Sequence, residues 1–272
     1  MQRPYFRLIA LIALAGLLSC SEPQMVMVLS PTQVTVQHAD DILVIDDTLV
    51  RPMLYHNLPH FEELPVEESK AKFIGAVLPA ILIAKFKIDS VRTEVMALTR
   101  KKKWTPTDSA LYRTQTERFR AKNISSLLDK MQTHPNSIVL AQAIVESGWG
   151  SSRFFQEANN LFGIWSYNTS EPRIAAGKSR NGTRIYLRKY DNISESIVDY
   201  FETVARARAY RHFREARKTT SEVATLVPHL RYYSERRDEY VEQLQTIIRQ
   251  NELTQYDRHQ LDPAYFIPKT LP

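Results

Sequence analysis

The run AQAIVESGWGSSRFFQEANNLFGIW, from Ala141 to Trp165, gathers the residue types that could do chemistry in this chain. Glu146 closes an apolar stretch that reads as a helix beginning near Ile138, with Ile138, Ala141, Gln142 and Val145 on one face. Two forces act to keep its carboxyl protonated: partial desolvation beside Trp149, and the negative end of the helix dipole. An acid held neutral near physiological pH is what glycosidic cleavage needs to protonate the departing oxygen. Trp149, Phe162 and Trp165 supply flat apolar surfaces of the kind that stack on sugar rings. Gln142, one turn before the acid, is placed to hydrogen-bond a substrate or to hold the acid. The residues alone leave a plainer reading open, in which Glu146 is a solvated helix-end carboxylate and the aromatics are core. Asn160 is expected to fix the NNLFG turn, and Gly163 to permit a tight backbone there.

Other chemistries find no support. The chain has only 7 glycines and neither a GxGxxG nor a GxxxxGK run, so phosphate-cradling loops are excluded. Its 7 histidines are scattered and Cys20 is the single cysteine, so no metal is expected, and no cofactor. A GxSxG nucleophile elbow is absent. The net charge of +6 suits an anionic polymer such as cell wall, although an ordinary solvated surface explains it equally. The one tight basic run, Lys101 to Lys103, fits a helix C-terminus, and nucleic acid is not an expected partner.

AQAIVESGWGSSRF followed by NNLFGIW resembles the glucosaminidase domain of glycoside hydrolase family 73, and within it the Bax-like proteins. The wall-cutting domain of a flagellar rod-assembly protein is a more distant likeness. The resemblance extends upstream through Lys70 to Arg100, and downstream through YDNISESIVDYFETVARARAYRHF and Tyr233-Ser234-Glu235-Arg236, covering about residues 66 to 252. It implies a mainly α, lysozyme-like helical domain with a small β-hairpin lobe. The implied reaction is hydrolysis of the β-1,4 bond after N-acetylglucosamine in peptidoglycan glycan strands, with Glu146 as the acid. Tyr210 matches the family's aromatic position after the lobe, a packing tyrosine being the alternative. Glu171 is the only acid between Trp165 and Asp191, hence the sole lobe candidate for a base. A base there would stand about 6.5–9.5 Å from the acid with water between, and without one the substrate's N-acetyl group could assist. A lytic transglycosylase would carry a GLMQ-like run after its Glu, which is missing. A non-catalytic wall-binding lipoprotein on the same fold is the other alternative.

These residues need elements to place them. Arg3 and Arg7 precede an apolar stretch from Leu8 to Leu18, a signal-peptide pattern over residues 1–19. Leu17-Leu18-Ser19-Cys20 resembles a lipobox. That implies a lipid anchor at Cys20 and export to the envelope, with Ser21 favouring the outer membrane facing the periplasm; an incidental cysteine after an ordinary signal peptide is the alternative. Residues 20–65, with scattered prolines and no sustained period, read as a tether. From Glu67 the pattern is helical, with a kink or break expected at Pro79 and a second piece over Val91 to Arg100. Thr105-Pro106 opens a further helix, and Asn136 or Ser137 caps the one leading to Glu146. Asn181-Gly182 predicts a hairpin between polar strands. Helices resume at Asn192, the last running from Ser234 to about Gln250, and the tail 253–272 is expected to fray.

Overall fold

A computed structural model describes residues 25–180 and 183–270. The expected signal peptide, Cys20 and the Asn181-Gly182 turn lie outside them. The expected tether is packed structure instead. It holds β1 (Met25–Leu29), β2 (Thr32–Thr35), β3 (Leu49–Val50) and β4 (Met53–His56), with β2 and β4 paired in parallel. Val36, Ile42, Val50, Leu54, Tyr55 and Phe61 are all buried in the core. These apolar residues stand singly among polar ones, so no period reveals them; each is buried through long-range contacts. Phe61 meets Phe73 edge-on with ring centroids 5.7 Å apart.

α1 (Val66–Leu98) is a single 33-residue helix that runs through Pro79. The expected break is absent, and the second helical piece is the same helix. Proline costs a helix a hydrogen bond and a steric clash, worth about 3 kcal/mol. Here every residue from Phe73 to Ala84 is buried, and that burial outweighs the local penalty. α2 (Pro106–Phe119) opens with a reciprocal cap: Asp108 N donates to Thr105 Oγ1 at 3.1 Å, and Thr105 N donates to Asp108 Oδ2 at 2.9 Å. α3 (Ile124–Lys130) follows, capped by Asn123.

α4 (Asn136–Ser147) is the central helix, packed against α1. All residues from Asn136 to Ile144 are buried, as expected of a helix surrounded on every side. Neither Asn136 nor Ser137 caps it. The Asp257 carboxylate, 120 positions away, accepts from Ser137 N at 2.7 Å and from Ser137 Oγ at 2.8 Å. Asn136 Nδ2 donates to the Tyr256 carbonyl at 2.8 Å. The helix start is thus satisfied from the C-terminal segment.

After α5 (Arg153–Ala158) comes the lobe, an antiparallel pair of β5 (Arg173–Arg180) and β6 (Thr183–Arg188) with a register shift between Ala175 and Ser179. α6 (Ile193–Arg206) is capped by Asn192 and packs on α1. α7 (Arg211–Arg217), α8 (Val223–Leu226) and α9 (Asp238–Gln250) complete the helices, and α9 lies against α4. The tail does not fray. A 3-10 turn at Leu253–Arg258 sits at the start of α4, β7 (Gln260–Leu261) pairs with β3, and β8 (Phe266–Thr270) pairs antiparallel with β1. The fold class is the expected one, mainly α with a small hairpin lobe.

Candidate active site

α4 delivers Glu146 to the edge of the core and stops one residue later. Gly148 takes a left-handed φ of +58°, Trp149 follows at +56° and Gly150 at +85°. Three successive residues in this region reverse the chain, and Ser147 Oγ holds the turn by accepting from Gly150 N at 3.0 Å. A side chain at Gly150 would bring a Cβ within 2.7 Å of the Phe61 ring, so only glycine fits. Trp149 tolerates its strained backbone because its ring is wedged edge-on against Phe73, centroids 5.5 Å apart.

Around Glu146 stands a cage of tyrosines. Tyr240 of α9, fully buried, donates its hydroxyl to Glu146 Oε1 at 2.8 Å. Its ring stacks on Tyr233 at 5.7 Å, and Tyr233 lies 5.8 Å from Tyr210. Burial pushes the Glu146 carboxyl up from its ordinary range; the Tyr240 hydrogen bond and the Arg236 guanidinium oppose that shift without cancelling it. Burial, and then the Glu146 charge, pushes Tyr210 up to about 12. Tyr233 and Tyr240 are pushed up for the same two reasons. The arrangement is an acid whose pKa burial raises, set among hydroxyls whose pKa values burial also raises.

The other expected site residues separate into two groups. Tyr210 and Trp149 belong to this neighbourhood. Gln142 is fully buried, so it holds the acid's surroundings and does not reach a ligand: its Nε2 donates to the Tyr240 hydroxyl at 3.0 Å. Phe162 is a core ring stacked on Tyr200 at 4.2 Å, not a sugar platform. Trp165 does present a surface, 37% exposed beside an 82% exposed Tyr167, with centroids 6.1 Å apart at the root of the lobe. Asn160 fixes its turn as expected, accepting from Ile164 N and donating to the carbonyls of Ile164 and Arg188. Glu171 accepts from Arg188 Nε at 3.2 Å. Arg188 also bonds Asp199 of α6 at 2.6 Å, and Tyr190 donates to the same Asp199 oxygen at 2.7 Å. Glu171 is therefore part of the clamp that fastens the lobe to α6.

Sequence reasoning did not single out Tyr240. Tyr233 and Arg236 lie in the turns before α9, so no helical period ties them to Tyr240 and the local spacing carried no signal. Among the described residues no three His, Cys, Asp or Glu side chains gather as a metal site.

Residues 121–253 match the family model named Glucosaminidase, described as mannosyl-glycoprotein endo-β-N-acetylglucosaminidase. Protein bax of Escherichia coli is 26% identical over 173 residues, 59% of this chain and 60% of that protein. Exo-glucosaminidase LytG of Bacillus subtilis is 30% identical over 141 residues, 48% of this chain and 49% of that one. The chain thus spans about half to three fifths of the length of these curated relatives. Among solved structures, the catalytic domain of the autolysin Auto from Listeria monocytogenes overlaps with a TM-score of 0.40 at 20% identity, covering 59% of this chain and 93% of that one. Glu146, Tyr210, Tyr233 and Tyr240 all fall inside the matched span, and over that span the chain is similar to glucosaminidase domains and to Bax.

Proposed function

We propose that this protein is a peptidoglycan hydrolase, an endo-β-N-acetylglucosaminidase that cuts the β-1,4 bond after N-acetylglucosamine, with Glu146 as general acid. The observation that carries the reading is the Glu146 carboxyl, half-buried at the end of α4, its pKa raised by burial, and anchored through one oxygen by Tyr240. Such a group gives its proton to the departing sugar oxygen as the bond breaks, and the tyrosine cage limits water around it. Trp149, Trp165 and the exposed Tyr167 supply apolar faces for sugar rings. Glu171 serves the lobe on this reading, which leaves the second half of the reaction to water aided by the substrate's own N-acetyl group. The substrate is reached in the envelope, with the chain exported and lipid-anchored at Cys20. Glu146→Gln keeps the shape and removes the proton. Release of reducing ends from purified sacculi should fall by about 10³-fold or more in that variant, with the melting profile retained. Undiminished release would overturn the assignment, and anhydro-sugar product ends would mark a lytic transglycosylase instead.

A further inference from the structure

A line of buried hydrogen bonds crosses the body of the molecule and ends on Glu146. It begins at His134, just before α4, whose ring packs edge-on among Tyr200, Phe201 and Phe213. His134 Nε2 lies 2.9 Å from the Tyr200 hydroxyl, and Tyr200 donates to Gln142 Oε1. The other end of the same amide, Nε2, donates to Tyr240 at 3.0 Å, and Tyr240 donates to Glu146 Oε1 at 2.8 Å. Tyr200, Gln142 and Tyr240 are wholly buried and His134 is 4% exposed, so water does not compete along the line.

The bonds all run one way. With Tyr200 donating to Gln142, its oxygen is left to accept, and His134 Nε2 becomes the donor. His134 Nδ1 is buried with no partner. A bare lone pair there is tolerated better than an orphaned N–H, which places the ring hydrogen on Nε2. Reversal would require the other ring tautomer, a flipped Gln142 amide and both tyrosines turned round. In that reversed state Tyr240 would accept from Glu146, and the acid's proton would point into the core.

We propose that His134, Tyr200 and Gln142 are positioning residues for the Glu146 acid, forming a one-way relay that makes Oε1 the acceptor of Tyr240 and leaves the transferable proton on Oε2. The proposal rests on Glu146 being the acid of the reaction above. It gives a purpose to a buried polar line that an apolar core would otherwise replace at little cost. The ionisable groups facing Glu146 are Tyr240 of α9, Tyr233 and Arg236 before it, Tyr210 after α6, and Tyr200 beyond Gln142. Those facing His134 are Arg217, Lys85 and Tyr200.

The test measures kcat and KM on purified sacculi across about pH 4.5–8.5, using the full chain with Tyr200→Phe, His134→Phe, His134→Gln and Glu146→Gln. Tyr200→Phe is expected to lower kcat about tenfold, to leave KM within about twofold, and to move the alkaline limb of the kcat profile to higher pH. The limb moves because Tyr240 donates less firmly to the carboxylate. His134→Phe should move it the same way, whereas His134→Gln, whose amide nitrogen reaches the place of Nε2, should not. Loss of folded protein alone scales kcat at every pH and leaves the limb in place. An unmoved limb in Tyr200→Phe overturns the relay; if that variant does not fold, Gln142→Met is read by the same criterion. A limb that His134→Gln moves and His134→Phe does not overturns the part assigned to His134. Full activity in Glu146→Gln removes the acid itself, whereas an inactive Glu146→Gln with an unmoved Tyr200→Phe limb removes only the relay.

Discussion

At the scale of the residue, the site rests on one carboxyl partly withdrawn from water, and that placement costs stability. Burial raises the Glu146 pKa above that of the unfolded chain, so the fold holds this proton more tightly than the unfolded chain does. The group's contribution is fully present below the unfolded value and is lost as pH rises through the folded one. Glu146→Gln is therefore expected to melt close to the native protein near pH 4 and above it near pH 8, by a few degrees, since a neutral amide still accepts from Tyr240 (about 1 kcal/mol is worth about 2–4 °C at this size). Thermal melts at the two pH values check this, and a difference that is the same at both would contradict it. His134 works in the opposite sense. Its folded pKa is depressed, chiefly by burial, so the stability it protects is present above about pH 6.5 and declines as the pH falls below that.

At the scale of the element, the lobe is held by charge and the helices by apolar contact. Arg188 sits between Glu171 and Asp199, and Arg206 shares Asp199 at 3.0 Å. Arg188→Met leaves Asp199 with Arg206 and the Tyr190 hydroxyl, and Glu171 with no Arg188 bond. A loss of about 1–3 kcal/mol is expected, seen in denaturant unfolding, with faster proteolysis within the lobe. Glu171→Gln removes only one charge of the clamp, so it should keep activity within about threefold; a loss above about 100-fold would make Glu171 the base.

This is also the scale at which the sequence was most and least legible. The helix that carries Glu146, the turn at Gly148, the Asn160 brace and the paired strands of the lobe follow from local chemistry: a capping glycine, an Asn in a tight turn, alternation along Thr183 to Lys189. The cap on α4 could not be read, because it comes from Asp257, and nothing within a helix's length of Ser137 signals it. Phe162 and Trp165 are three residues apart and equally aromatic, yet one is core and the other surface. Only the tertiary fold distinguishes them.

At the scale of the whole molecule, the segment before α1 is part of the body. Phe61 has no exposed surface, touches Phe73 and Phe155, and closes over Gly150 in the turn after Glu146. Phe61→Ala should cost about 3–5 kcal/mol, far more than any change in a free tether, and should lower activity by loosening that turn. Urea unfolding measures the first and sacculus digestion the second.

The pairing of β1 with β8 also limits where such an enzyme can work. From Met25 onward the chain is fastened to the body, with Met25 opposite Thr270. If lipid is attached at Cys20, only about five residues remain between the membrane surface and the first strand, a span of about 17 Å at full extension. A free tether over residues 20–65 would have spanned about 150 Å. Such a protein would graze glycan close to its own membrane, and its working depth in the wall would be set by those five residues.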